Sequence, residues 1–139
     1  MAITTFSGPV RSLNGFIAGH QVTAANAINA TATATAAQVA FGYITSTSAL
    51  ATTITLPTGT LLGKALGAVK GTSLDLYIDN TGGADVVTIG AATNGVLSTA
   101  GVDTAGSFGD LTVAAGVTGV ARFTIMFSSP TAYVFTRTA

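Results

Sequence analysis

Ser73-Leu74-Asp75-Leu76-Tyr77-Ile78-Asp79, closed by Asn80-Thr81-Gly82-Gly83, is the stretch whose reading decides the fold. Leu74, Leu76 and Ile78 recur at every second position, with Asp75, Tyr77 and Asp79 between them. A period of two places the apolar set on one face of a strand and the polar set on the other. The Asn-Thr-Gly-Gly run is turn chemistry, and a second strand is expected over Asp85–Ile89. Downstream, β-rich runs occupy Gly95–Ser98, Leu111–Ala114, Val120–Phe127 and Ala132–Arg137. In the third of these, Ala121, Phe123, Ile125 and Phe127 share a face opposite Arg122, Thr124 and Met126. Ser128-Ser129-Pro130-Thr131 then reads as the turn of a final hairpin.

Upstream, Thr52–Leu56 is a short strand stopped by Pro57, and Val39, Phe41, Tyr43 and Thr45 alternate with small residues. The Ala-Thr alternation over Ala30–Ala36 fits an extended segment with one Thr face and one Ala face. Between Pro57 and Gly71 the spacing changes: Leu62, Ala65, Leu66 and Val69 predict one short helix. Residues 1–30 are expected to form a partly extended N-terminal arm, with turn signals at Gly8-Pro9 and Asn14-Gly15. Residues 31–139 are expected to form one all-β domain, an antiparallel β-sandwich or jelly roll of about eight short strands.

Composition narrows the function. The 139 residues carry five basic and five acidic side chains, no Glu, Cys or Trp, and one His, His20. Charged residues make up 7%, against about 25% in an ordinary domain. Ala, Thr, Gly and Ser together supply 76 of the 139. Nucleic acid is not an expected partner, because five scattered cations cannot neutralise a run of phosphates. No metal site or disulfide is expected without Cys and with a solitary His. The N-terminus lacks the basic-then-apolar order of a signal peptide, and no apolar run reaches membrane-spanning length, so no membrane is expected as a partner. Mean hydropathy is nevertheless +0.62. A charge-poor, near-neutral surface tends to associate, and self-assembly is the leading expectation.

Motifs that invite chemistry give way to structural readings. Gly59-Thr60-Leu61-Leu62-Gly63-Lys64-Ala65 superficially resembles a phosphate loop, but has three residues between its glycines and no hydroxyl after the lysine. Gly59, Gly63, Gly67 and Gly71 recur every four residues; the segment is too short to span a bilayer, and a face of small residues allows close packing. Asp75 and Asp79 share a strand face roughly 13 Å apart, too wide for a hydrolytic pair. Asp79, Asp85, Asp103 and Asp110 sit among turn residues, where Asp caps local backbone. His20 has no acid or nucleophile near it in sequence, and no Gly-x-Ser-x-Gly elbow occurs. No catalytic residue and no cofactor are assigned, and the chain is not expected to be an enzyme. Arg11, Arg122 and Arg137 are expected to pair with Asp residues or a partner surface.

Over residues 50–139 the order of phrases carries a resemblance. Gly71 through Gly82 is followed by Val86-Val87-Thr88-Ile89, then by Val113 through Phe123, then by Ala132-Tyr133-Val134-Phe135-Thr136-Arg137. This order resembles small structural proteins of tailed bacteriophages that decorate or cement the head. The resemblance implies a sandwich or jelly-roll subunit, a homotrimer seated on the major capsid protein, on the virion exterior after synthesis in the host cytoplasm. It carries no catalytic residues, and the N-terminal arm departs from it. Phe6, Val10, Leu13 and Phe16 of that arm are the expected capsid-docking side chains. The alternative expectation is a phage tail or fibre component that binds a host glycan, for which Tyr43, Tyr77 and Tyr133 are the aromatic candidates.

Overall fold

A computed structural model describes residues 26–97 and 110–139. Among these residues the chain is mainly β, with two small sheets and two short helices. The first sheet contains β1 (Ala32–Thr33), β3 (Thr52–Thr55), β5 (Val87–Gly90) and β7 (Thr112–Val113), side by side in that order. The second contains β2 (Tyr43–Thr45), β4 (Ser73–Asp79), β8 (Val120–Ser129), β9 (Ala132–Arg137) and β6 (Gly95–Leu97), again in that order. The helices are α1 (Ala36–Ala40) and α2 (Gly59–Leu66).

The sheets are mixed, which corrects the antiparallel expectation. From β1 to β8 the chain alternates strictly between the two sheets. Three of the returns through the opposite sheet bring the chain back in its original direction, whereas the return from β5 to β7 reverses it. β1·β3, β2·β4 and β3·β5 accordingly pair in parallel, as does β6·β9. Antiparallel pairing is confined to β4·β8, β5·β7 and the β8–β9 hairpin. The strand expected after Asn80-Thr81-Gly82-Gly83 exists as β5, but in the opposite sheet from β4, so this turn is a sheet-to-sheet corner.

The alternation of β4 and β8 is realised as read. Leu76, Ile78, Ala121, Phe123, Ile125 and Phe127 are buried, while Asp75, Tyr77 and Met126 are exposed. Both sheets feed one apolar cluster, in which Ile54, Ile89 and Val113 of one join Ile44, Ile78, Phe123 and Phe135 of the other. Rings continue across the hairpin, with Phe127–Tyr133 centroids 5.8 Å apart and Tyr133–Phe135 6.3 Å.

Two local expectations are corrected. The Ala-Thr run is extended only over Ala32–Thr33; Thr35 then caps α1, its Oγ1 accepting from Gln38 N at 3.2 Å while Gln38 Oε1 accepts from Thr35 N at 2.9 Å. That capping box, feeding an Ala-rich segment, outweighs the strand preference of alternating Thr, so Val39 lies on a helix rather than a strand. The arm boundary also moves. Residues 26–30 belong to the packed body: Ile28 is buried, Ile28 N donates to Thr45 O at 2.9 Å, and Asn26 Nδ2 reaches Gln38 O and Tyr43 O.

α2 forms where the helical spacing lies, opened by Thr58, whose Oγ1 accepts from Leu61 N, and closed by Gly67 in the left-handed conformation. It occupies the segment that superficially resembled a phosphate loop. Gly59 and Gly63 press against the β8–β9 turn; a Cβ on Gly63 would lie 1.9 Å from Pro130 O. The four-residue glycine spacing therefore serves packing within one chain at its first two positions.

Candidate functional site

Three surfaces gather the polar and exposed groups. The first is the corner where loops 46–51, 80–86 and 114–119 meet. Asn80 is buried at its centre, its Nδ2 donating to Asp85 O at 2.9 Å, Val113 O at 3.2 Å and Ala114 O at 3.1 Å. Its own N–H donates to Gly119 O, and its Oδ1 lies against Gly83, where a Cβ would come within 2.1 Å. One amide thus ties the end of β4 to the approach to β5 and to the end of β7. Around this rigid knot the loops carry a single charge, Asp85, and expose Leu50 (75%) and Val117 (100%). Val120, paired with Asp79 at the same end, is also exposed.

The second surface is the outer face of the five-stranded sheet. Parallel pairing of β2 with β4 sets Tyr43 beside Tyr77, and antiparallel pairing sets Tyr77 beside Arg122. Tyr43 and Tyr77 are 45% and 40% exposed. Tyr43 OH donates to Asp79 Oδ2 at 2.5 Å, and Asp79 Oδ1 accepts from Thr81 N and Thr81 Oγ1. The Thr81 hydroxyl, then Tyr43, hold the Asp79 carboxyl below its usual range, and the same Asp79 bond raises the Tyr43 phenol. Asp75 Oδ1 accepts from Thr124 Oγ1 at 2.7 Å. Asp75 and Asp79 flank Tyr77 on the exposed face, each engaged by hydroxyls and not by the other.

Tyr133, the third aromatic candidate, does not join them. It is 1% exposed, with its OH donating to Pro57 O at 2.8 Å and Gly95 against its ring. Its position on the core side of β9, between Phe127 and Phe135, removes it from any surface site. Burial pushes its phenol up to about 12. Below pH 10 the phenol is protonated in both folded and unfolded chains, and its contribution does not vary with pH. Between pH 10 and about 12 the unfolded chain releases the proton while the folded chain retains it. Stability is therefore lost as pH rises through that window, by about 3 kcal/mol in full. Urea denaturation at pH 9 to 12 is expected to show this slope, and Tyr133→Phe to flatten it.

The third surface is a cleft of about 500 Å³ lined by Asp85, Asp110, Thr112, Thr118 and Arg137 with neighbouring small residues. Arg137 follows Tyr133 and Phe135 on the core side of β9, where a guanidinium needs a partner. Its Nη1 donates to Asp110 Oδ2 at 3.1 Å and to Thr112 O at 2.6 Å, while Asp110 Oδ1 accepts from Thr112 N and Oγ1. The expected Arg–Asp pairing is thus found here, whereas Arg122 Nε donates to Thr138 Oγ1. Asp79 and Asp110 each cap backbone two residues on, as the turn reading anticipated.

Phe6, Val10, Leu13 and Phe16, together with Arg11, His20 and Asp103, lie outside the described residues. Among the described residues no His, Cys, Asp or Glu cluster of metal-binding size occurs, and no helix is long and apolar enough to cross a membrane. The corner knot and the Tyr43–Tyr77 pair escaped sequence reasoning, because each joins residues distant in the chain. Only the Asn-Thr-Gly-Gly run signalled the first.

What the fold and these surfaces define is a mainly-β domain with a charge-poor corner end and two exposed tyrosines on one sheet face. In comparisons with known proteins, no family model, no curated protein and no solved structure matches the chain.

Proposed function

We propose that the chain is a virion structural protein, a head decoration or cement subunit of a tailed bacteriophage that binds the capsid exterior across adjacent capsomers as a homotrimer. The observation that supports this best is the corner end. Three loops there carry one charge between them and present Leu50 and Val117 to solvent, on a scaffold held rigid by Asn80. Such an end suits burial against a partner, since removing apolar surface from water contributes about 25 cal/mol per Å² and requires no matching charges. An interface of about 1,600 Å² in total is sufficient for stable association. Three copies on a regular lattice then add avidity. In this reading the two sheets are the layers of a sandwich-type subunit, departing from a pure jelly roll in their parallel pairs.

Native mass spectrometry and co-sedimentation with purified empty phage heads test the proposal together. The wild-type chain is expected as a trimer that pellets with heads. A chain carrying Leu50→Asp and Val117→Asp, both exposed and outside the core, is expected to keep its melting temperature but lose trimer formation or head binding. Deleting residues 2–18 is expected to abolish head binding and leave the oligomer intact. A monomer without affinity for heads overturns the reading.

A further inference from the structure

We propose that the outer face of the five-stranded sheet is a carbohydrate-binding platform, with Tyr43 and Tyr77 as the stacking surface and Asp75, Asp79 and Arg122 as its polar rim. This site lies on the sheet face, touching the corner end only at Asp79 and Thr81, and stands or falls independently of head decoration. The two residues occupy registered positions on neighbouring strands, which run about 4.8 Å apart, and both are nearly half exposed. Asp75, Asp79, Arg122 and Thr124 surround them, and Val120 and Met126 are exposed further along the same face. Tyr43 is not a free rotor: its hydroxyl is anchored on Asp79, which Thr81 anchors in turn. A ring held before ligand arrives loses little rotamer entropy on stacking.

The rim favours a sugar over a protein. Asp75 and Asp79 are engaged by the hydroxyls of Thr124, Tyr43 and Thr81 rather than by cations. A carboxylate left facing an apolar protein surface without a cation carries a desolvation cost. Sugar hydroxyls are further donors of the kind these carboxylates already accept, and they remain partly hydrated. Arg122, next in the row after Tyr77, adds donors for ring or hydroxyl oxygens. The three rim charges sum to one negative charge, which disfavours uronates, sialylated chains and phosphorylated glycans. A neutral oligosaccharide is the ligand class this chemistry selects.

The test uses the full-length chain on an array of immobilised oligosaccharides, including neutral β-1,4-linked glucose and N-acetylglucosamine hexamers and sialylated chains. Neutral members are expected to bind and acidic ones not. Tyr77→Ala is expected to weaken binding roughly tenfold or more, the scale of losing one anchoring aromatic, with an unchanged circular-dichroism melt. Val117→Ser, at the corner end, is expected to bind as wild type. Tetranitromethane nitration read by peptide mass spectrometry gives a second measurement on the unaltered chain. Tyr43 and Tyr77 are expected to react, Tyr133 to resist, and the neutral hexamer that binds to protect the first two. Absence of binding to every neutral glycan, or full binding by Tyr77→Ala, overturns the proposal. So does protection of Tyr43 and Tyr77 without sugar, which would show a protein or second copy seated on the face.

Discussion

Asn80→Asp is expected to leave little folded protein at neutral pH. The change removes two hydrogens and adds a charge at a fully buried position. Asn80 Nδ2 serves three carbonyls, of Asp85, Val113 and Ala114. Its Oδ1 is buried without a donor, so a carboxylate here finds no hydrogen bond for either oxygen and faces three carbonyl dipoles. The desolvation of an unpaired buried charge and the orphaned carbonyls together cost about 4 kcal/mol or more. That is a large share of the roughly 5–15 kcal/mol that holds a domain together. Asn80→Ala, which orphans the carbonyls without adding charge, is expected to lose about 2 kcal/mol. Urea denaturation followed by circular dichroism measures both, and an unchanged midpoint for Asn80→Asp contradicts the corner account.

Gly63→Ala is expected to destabilise the chain by about 3 kcal/mol, against the direction that helix propensity alone dictates. Propensity favours Ala over Gly by about 1 kcal/mol inside a helix. Here the added methyl would stand 1.9 Å from Pro130 O and 3.2 Å from Phe127 Cε1. The first is backbone in the turn of the β8–β9 hairpin, so relief requires moving α2 off the sheet. Overpacking of this kind costs typically 1–3 kcal/mol and sometimes more. Gly71→Ala supplies the contrast. Its φ of +90° strains any side chain, but nothing lies within 4 Å, and a loss of about 1 kcal/mol is expected from conformation alone. Thermal melts of the two variants separate close packing from backbone strain.

Much of the architecture was legible from spacing. The buried faces of β4 and β8, the last hairpin, the position of α2 and the turn roles of Asp79 and Asp110 follow from periodicity and local hydrogen bonding. Those signals act within a few residues, and the structure honours them. The Ala-Thr segment departs from an extended conformation past Thr35 because alternation there competes with a capping box, and Ala is indifferent to which face it occupies. The antiparallel expectation failed for a different reason: a Gly-rich turn between two strands has the same composition whether it closes a hairpin or carries the chain to another sheet. The surfaces were less legible than the fold. Tyr77 and Tyr133 each lie in an alternating strand; one is exposed and the other buried, according to which face meets the core.

Sequence alone determined that the chain is charge-poor, largely β and provided with one helix after Pro57. Period and composition are properties of single segments, and a segment records which of its faces is apolar. It does not record which strand will lie beside it. Tertiary structure decided the partners: β2 parallel to β4, hence Tyr43 against Tyr77; Asn80 under the ends of β4 and β7; Arg137 on Asp110. Each depends on groups brought together from separate parts of the chain, where buried donors must find acceptors and apolar faces must close on one another.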